Sequence, residues 1–184
     1  MQTQTTTPTT PSNAPLPVHN AVIAFTKVNL PYGWLGNMSA DPVVHLGKRY
    51  RTTEALFQCL RFEGFPAVQE QIRDSASPMS AKMVAKKHRP LIQDTVTFLG
   101  AEDVERMRLC LRLKLEQHPE LKRMLRATGN ARLVENVGKR RRESDLFWGA
   151  YWDDATAEWV GRSVLGECWM ELRRELPPVQ IRAA

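Results

Sequence analysis

Hydrophobic positions recur at helical spacing through much of the chain, and short extended segments interrupt them. The clearest pattern predicts a helix over residues 102–117. Its apolar side chains stand about one turn apart and are expected to face the core: Val104, Met107, Leu111 and Leu115. A stripe of this width is typical of a helix packed on one side in a water-soluble domain.

Local start and stop signals divide the rest of the chain into further helices. Thr52 can cap a helix that runs to about residue 63, and Ser77 followed by Pro78 starts another. These signals and the apolar spacing predict helices over residues 67–74, 78–88, 119–127 and 163–176.

Strand patterns are few and short. Residues 21–28 and 132–137 are predicted to be extended, and a hairpin is predicted around residues 47–48. Residues 145–161 carry many aromatic and acidic side chains without a clear period, and we expect them to be irregular. The sum is an α+β fold: a helix-dominated single domain with a small antiparallel sheet.

Composition divides the chain into one domain with two short tails. The Thr- and Pro-rich residues 1–20 cannot bury enough apolar surface to offset ordering, so a disordered tail is expected there. The domain is predicted over residues 21–178, with a C-terminal tail over residues 179–184. There is no apolar run near the roughly 20 residues that span a bilayer, and no basic, apolar leader. A cytoplasmic protein without a membrane partner is therefore expected.

The cysteine and histidine positions argue against a metal site. Cys59, Cys110 and Cys168 are isolated from one another, and the four histidines have no zinc-type spacing. Reduced, buried thiols are expected, with no metal and no cofactor.

A formal net charge of +6 favours anionic partners such as phosphates, nucleotides or nucleic acid. The basic run over residues 139–142 is expected to lie in a loop that could contact a nucleic-acid backbone. Acidic residues are spread along the whole domain, so no continuous basic face is predicted.

The first candidate for chemistry lies in the helix that follows Thr52. Glu54, Gln58 and Arg61 fall at positions i, i+4 and i+7, so they share one helix face. A carboxylate, an amide and a cation on one stripe can line a polar pocket. Alternatively, Glu54 in the first turn only stabilises the helix dipole.

Two further candidates come from segments rich in aromatic residues. One spans residues 135–154, where Glu135, Asp145 and Trp148 combine carboxylates with an aromatic ring able to stack on a base. The other is the glycine-containing loop of Trp34 and Asn37. The structural alternatives are that Trp148 only anchors the core, that the acids are only solvated, and that the loop is a plain turn.

Taken in order, these segments resemble one family, the NADAR (YbiA-like) family, across about residues 22–175. The motifs that carry the resemblance are Tyr32-Gly33-Trp34-Leu35-Gly36-Asn37, Tyr50-x-Thr52-x-Glu54-x-x-Phe57-Gln58-x-x-Arg61-Phe62, Ser77-Pro78-x-x-Ala81-Lys82, Arg112-x-Lys114, Leu125-x-x-Thr128-Gly129, Leu133-x-Glu135, Asp145-x-x-Trp148-Gly149 and Leu165-Gly166-x-x-x-Met170.

The resemblance implies a compact, mainly helical fold and an N-glycosidase. Such enzymes act on phosphoribosylamino intermediates of riboflavin synthesis or remove ADP-ribose from guanine bases. Four residues match catalytic positions: Glu54, Glu135, Asp145 and Trp148. Substrate binding is expected of Trp34, Asn37, Gln58, Arg61, Lys82, Lys114 and Gly149.

The sequence also differs from the family pattern at four positions. Ala55, Arg61, Tyr151 and Ser163 replace the histidine, lysine, glycine and asparagine that are usual there. A guanidinium stays protonated, so Arg61 cannot act as an amine nucleophile. A module that binds ADP-ribose or a nucleotide without turnover is therefore an alternative to the enzyme.

The expected reaction breaks a bond between a base or amine and a (phospho)ribose. Glu54 would act as base or stabilise the oxocarbenium-like charge, and Asp145 would hold the ribose hydroxyls or act as acid. Trp148 would stack on the base or ribose, while Arg61, Lys82 and Lys114 would hold phosphates.

Overall fold

The computed structural model describes residues 21–177, and within them it forms seven α-helices and six short strands. The strands are Val22–Phe25 (β1), Val43–His45 (β2), Lys48–Tyr50 (β3), Arg132–Glu135 (β4), Tyr151–Asp153 (β5) and Glu158–Val160 (β6). The helices are Thr53–Leu60 (α1), Pro66–Arg73 (α2), Pro78–His88 (α3), Ala101–Gln117 (α4), Pro119–Ala127 (α5), Glu143–Trp148 (α6) and Val164–Glu175 (α7). The α+β class is confirmed. The predicted tails at residues 1–20 and 179–184 lie outside the described residues.

The strands differ from the expected small antiparallel sheet. They form three separate pairs, of which β2–β3 and β5–β6 are antiparallel and β1–β4 is parallel, with Phe25 aligned with Glu135. A parallel pair needs a long crossover, and here helices α1 to α5 supply it. The sequence pattern could not reveal this pairing because β1 and β4 are far apart along the chain.

The expectation of irregular structure over residues 145–161 was wrong. The segment contains the end of α6 and the β5–β6 hairpin, in which Trp152 is paired with Trp159. Each strand has only three residues, and α6 has six. Elements this short do not complete enough periods to be recognised from hydrophobic spacing.

Helix starts follow the predicted caps. The Thr52 hydroxyl accepts a hydrogen bond from the Ala55 amide at 3.2 Å. The Ser77 hydroxyl likewise accepts from the Ser80 amide at 3.0 Å, with Pro78 in the first turn of α3. Each cap satisfies an amide that the helix itself leaves without an acceptor.

The core lies where α1, α4 and α7 pack around the β1–β4 pair. Trp169 of α7 is fully buried, and its indole N–H donates to the Leu35 carbonyl at 2.6 Å. Gly166 lets α7 approach β4, since a Cβ there would overlap the Leu133 carbonyl. The core therefore fixes both β4 and the segment around Leu35. Across residues 21–177, no helix is long and apolar enough to cross a membrane.

Candidate functional site

Glu54 lies in the first turn of α1 and is only 2% exposed, although glutamate is almost never buried without partners. The Asn37 amide donates to its Oε2 at 2.5 Å, and the Gln58 amide donates to its Oε1 at 2.8 Å. Both carboxylate oxygens therefore act as acceptors in this arrangement. A carboxylate held in this way is prepared to face positive charge or to accept a proton.

The Asn37 loop is joined to the start of α1 by its backbone. The Thr53 hydroxyl and the Glu54 amide each donate to the Asn37 carbonyl at 2.8 Å. The loop carbonyl thus caps the helix, while the loop side chain binds the first carboxylate of that helix. Asn37 and Glu54 are held together by these three contacts.

Lys114 of α4 binds the same loop through its ammonium group. Its side chain is fully buried, and its ammonium group donates to the Trp34 carbonyl and the Ser39 hydroxyl, both at 2.5 Å. Asp41 forms an ion pair with it at 2.9 Å. Burial lowers the pKa of Lys114, and the Asp41 charge opposes that shift. The ammonium is enclosed by protein acceptors, so it fixes the loop instead of contacting a phosphate as the sequence led us to expect.

Trp34 points its ring toward the core. The indole meets Trp169 edge to face, with ring centroids 5.7 Å apart, and it is partly buried. The Trp34 carbonyl accepts from Lys114, and Trp34 is three residues before Asn37 in the sequence. The structure therefore gives Trp34 a packing contact that supports the loop.

Arg61 is surrounded by protein groups in the same way. Its Nε and Nη2 donate to the two oxygens of Asp103 at 3.0 and 2.5 Å, and its Nη1 donates to the Gln58 Oε1 at 3.3 Å. The guanidinium also lies over the Phe57 ring at 4.3 Å and the Phe98 ring at 5.0 Å. The predicted stripe of Glu54, Gln58 and Arg61 is real, and its members contact one another.

A second carboxyl group, that of Glu135, lies close enough to Glu54 for the Glu54 charge to raise its pKa. Glu135 ends β4, directly beside Phe25 of β1, and its backbone amide donates to the Ser163 hydroxyl oxygen at 3.2 Å. Burial raises the pKa of Glu135 above its ordinary value. The charges of Arg140 and Lys82 oppose the rise, and those of Glu54 and Asp145 add to it. Glu135 thus lies among two acids and two cations.

Asp145 belongs to α6 and is held by the preceding loop. Its Oδ2 accepts from the backbone amide of Arg142 at 3.2 Å and from the Arg142 Nε at 3.1 Å. Arg140 lies 3.9 Å from the Oδ1. Arg140 and Arg142 of the basic run therefore lie beside Asp145, which the sequence alone did not indicate.

Lys82 lies in α3, where it is exposed, and its charge lowers the pKa of Glu135. Within residues 21–177, no carboxylate lies within 4.0 Å of its ammonium, so it forms no described ion pair. Lys82 and Arg140 come from different elements and both act on Glu135. Two cations around one carboxyl group are a suitable arrangement for phosphate oxygens.

Trp148 packs against α1, which carries Glu54, and Gly149 packs against the end of β4, which carries Glu135. The Trp148 ring meets Phe57 of α1 edge to face at 5.5 Å, and Phe57 lies one helical turn after Glu54. Gly149 is buried where a Cβ would overlap the Val137 side chain and the Glu135 carbonyl oxygen. Gly149 therefore allows α6 to lie directly against the end of β4.

An open surface cavity of about 390 Å³ is lined by Arg49, Arg51, Arg73 and Asp74. None of the candidate site residues lines it. The candidate site comprises the carboxyl groups of Glu54, Glu135 and Asp145, the cations of Lys82 and Arg140, and the Trp148 ring.

Three residues that shape this site were not predicted to do so from the sequence: Asp103 was not named, Ser163 was named only as a departure from the family pattern, and Arg140 only as part of the basic run over residues 139–142. Asp103 binds Arg61, Ser163 holds the Glu135 amide, and Arg140 lies beside Asp145. Ser163 precedes α7 in a left-handed conformation with a φ of 51°, which its place in the sequence does not reveal. Asp103 carries no local signal either, because it is separated from Arg61 by 42 residues.

The chain matches the NADAR domain model over residues 24–177. It is 35% identical over 160 residues to the N-glycosidase YbiA of Escherichia coli K12, which covers 86% of this chain and 91% of that protein. It is 28% identical over 157 residues to the N-glycosidase Npun_R5314 of Nostoc punctiforme, covering 84% and 92% of the two chains.

A solved structure shows the same fold. The NMR structure of E. coli YbiA matches with a TM-score of 0.62 and 31% sequence identity, and the match covers 86% of each chain. The similarity therefore extends over nearly all of the residues that build the candidate site.

Proposed function

The chain belongs to the NADAR domain family and is an N-glycosyl hydrolase, and we propose that it cleaves ADP-ribosyl-guanine in nucleic acid or nucleotide. The observation that carries the mechanism is the difference between the surroundings of two carboxyl groups, those of Glu54 and Glu135. Glu54 accepts hydrogen bonds at both oxygens, whereas burial raises the pKa of Glu135. Two acids whose surroundings differ in this way can take opposite proton-transfer roles.

In the proposed reaction, the bond between the ribose C1′ and the base nitrogen breaks, and its electron pair leaves with the base. Glu135 donates a proton to that nitrogen, so the base departs neutral. Glu54 faces the oxocarbenium-like charge on the ribose and takes a proton from the water that adds to C1′. Solvent then returns a proton to Glu135 and removes one from Glu54.

Neighbouring side chains supply binding. Asp145, oriented by Arg142, is suited to accept hydrogen bonds from ribose hydroxyls. Trp148 offers an aromatic face for the base or ribose. Lys82 and Arg140 can each take one phosphate of a diphosphate, which favours an ADP-ribosyl group over a single phosphate.

Arg61 and Lys114 contribute to binding indirectly in this scheme. Their charged groups are occupied by Asp103 and Asp41, so they support Gln58 and the Asn37 loop. No cation from these two residues is needed at the phosphates, since Lys82 and Arg140 are available.

The test incubates the full chain with two substrates in parallel, and mass spectrometry follows the products. One substrate is an oligonucleotide with ADP-ribosylated guanine, and the other is the phosphoribosylamino-pyrimidine intermediate. We expect base release from the first, lost in Glu54→Gln and strongly reduced in Asp145→Asn. Glu116→Gln, which removes an exposed acid of α4, is the matched control and should retain activity.

Base release from the pyrimidine intermediate alone would identify the substrate as a riboflavin-synthesis intermediate. Full hydrolysis by both Glu54→Gln and Asp145→Asn would overturn the proposed site. Tight binding of ADP-ribose without turnover of either substrate would identify a binding module instead.

A further inference from the structure

Asp103 is the most deeply buried carboxyl group that the proposed reaction does not use. It lies in the first turn of α4 with no exposed surface. It accepts from Arg61 through two nitrogens and from the Leu99 amide at 2.9 Å, and Arg106 reaches it at 3.2 Å. Burial would raise the pKa of Asp103, but the hydrogen bonds and charge of Arg61 outweigh burial and hold it below its ordinary value. Asp103 is therefore an anion that fixes the plane of the Arg61 guanidinium.

That plane determines the orientation of Gln58. The third nitrogen of Arg61, Nη1, can only donate, and it meets the Gln58 Oε1 at 3.3 Å. The Gln58 amide group must then direct its NH₂ the other way, toward the Glu54 Oε1 at 2.8 Å. Without Arg61 the Gln58 oxygen loses the donor that fixes it, so only the contact with Glu54 would then orient the amide.

We propose that Asp103 is a positioning residue for the hydrolysis, acting through Arg61 and Gln58 to orient the Glu54 carboxylate. This inference rests on the proposed function of Glu54. The chain of contacts runs over four side chains and joins α4 to the first turn of α1. Substrate does not need to touch Asp103, because its effect is on the direction in which Glu54 presents its oxygens.

The main test is a double-mutant cycle on kcat with Asp103→Asn and Gln58→Met. Asp103→Asn removes the charge and one of the two acceptor oxygens, so the Arg61 guanidinium loses the two-point contact that fixes its plane. We expect kcat to fall about 10- to 100-fold with little change in KM, the scale of a small misplacement in an active site. In the Gln58→Met background the same change should have almost no further effect on kcat.

A general loss of packing gives a different result. It would reduce kcat by the same factor in both backgrounds, and that outcome would overturn the proposal. Arg106→Gln is the matched control, because Arg106 also contacts Asp103 but leads to the exposed Glu102 and not to Gln58. It should leave kcat within about twofold of the wild-type value.

An NMR measurement that needs no catalytic turnover can test this proposal independently of the proposed function. The side-chain amide signal of Gln58 in a nitrogen–proton NMR spectrum can be assigned by its disappearance in Gln58→Met. Asp103→Asn should shift that signal, and Arg106→Gln should not. If the wild-type chain has no activity, this result still tests the contact chain. An unchanged Gln58 signal in folded Asp103→Asn would overturn it.

Discussion

At the scale of single residues, Glu135 connects burial to a measurable pH dependence. Burial raises its pKa, opposed by Arg140 and Lys82 and assisted by Glu54 and Asp145. A proton donor acts only in its protonated form, so kcat should be highest below this raised pKa. Activity should therefore decline as the pH rises through it.

We predict that Glu135→Gln lowers kcat by about 100-fold, a usual effect of losing one proton donor, and removes this alkaline decline. The measurement is kcat against pH for the wild-type chain and for the variant, with binding of ADP-ribose as a check of folding. A variant that keeps the same alkaline decline would show that another group donates the proton.

The site was only partly predictable at this scale. Glu54 and Gln58 could be placed together because one turn of helix separates them, and a periodic pattern carries that information. Lys114 and Arg61 were expected at phosphates, yet each is neutralised by an aspartate that is distant in sequence. Sequence spacing gives the face of a helix but not the charge that another element brings to it.

At the scale of elements, the segment around Trp34, Asn37 and Asp41 depends on one buried ammonium group. Removing one partner from a buried ion pair leaves the other charge without compensation. The Lys114 ammonium is also the donor for the Trp34 carbonyl and the Ser39 hydroxyl. The loop thus loses several contacts at once when this group is removed.

We predict that Lys114→Met destabilises the domain by about 3–5 kcal/mol and reduces activity, since Asn37 no longer holds Glu54. Urea unfolding, followed by circular dichroism, measures the free energy of unfolding. Lys86→Met on α3 is the control, because Lys86 is exposed and should change stability by less than about 0.5 kcal/mol. An equally small change in Lys114→Met would mean that the loop is held by other contacts.

Elements with strong local signals were predicted at their observed bounds. Helices α3 and α5 begin at Pro78 and Pro119, where a proline suits the first turn, and both end where predicted. The β5–β6 hairpin and the parallel β1–β4 pair were missed. Short strands carry little periodicity, and the choice of a distant strand partner depends on packing by α7, which no local segment encodes.

At the scale of the whole molecule, the three cysteines lie in the core on three different helices. Cys59 lies in α1, Cys110 in α4 and Cys168 in α7, and all three are free and buried, as expected from their isolated positions. Burial raises the pKa of Cys59 and of Cys168 to about 12, and it also raises that of Cys110. Since the thiolate is the reactive form, each thiol is protected both by exclusion of reagent and by its protonation state.

Because α1, α4 and α7 share one core, opening of any one of these helices should expose the other two. We predict that brief treatment with iodoacetamide in increasing urea yields only unmodified and triply modified chains in mass spectra. The urea midpoint of modification should coincide with the unfolding midpoint measured by circular dichroism. Appearance of a singly modified chain below that midpoint would show that one helix opens alone, and the modified cysteine would identify that helix.

The same experiment on Lys114→Met should move the common midpoint to lower urea, because the loop that Lys114 holds is packed on α7 through Leu35 and Trp169.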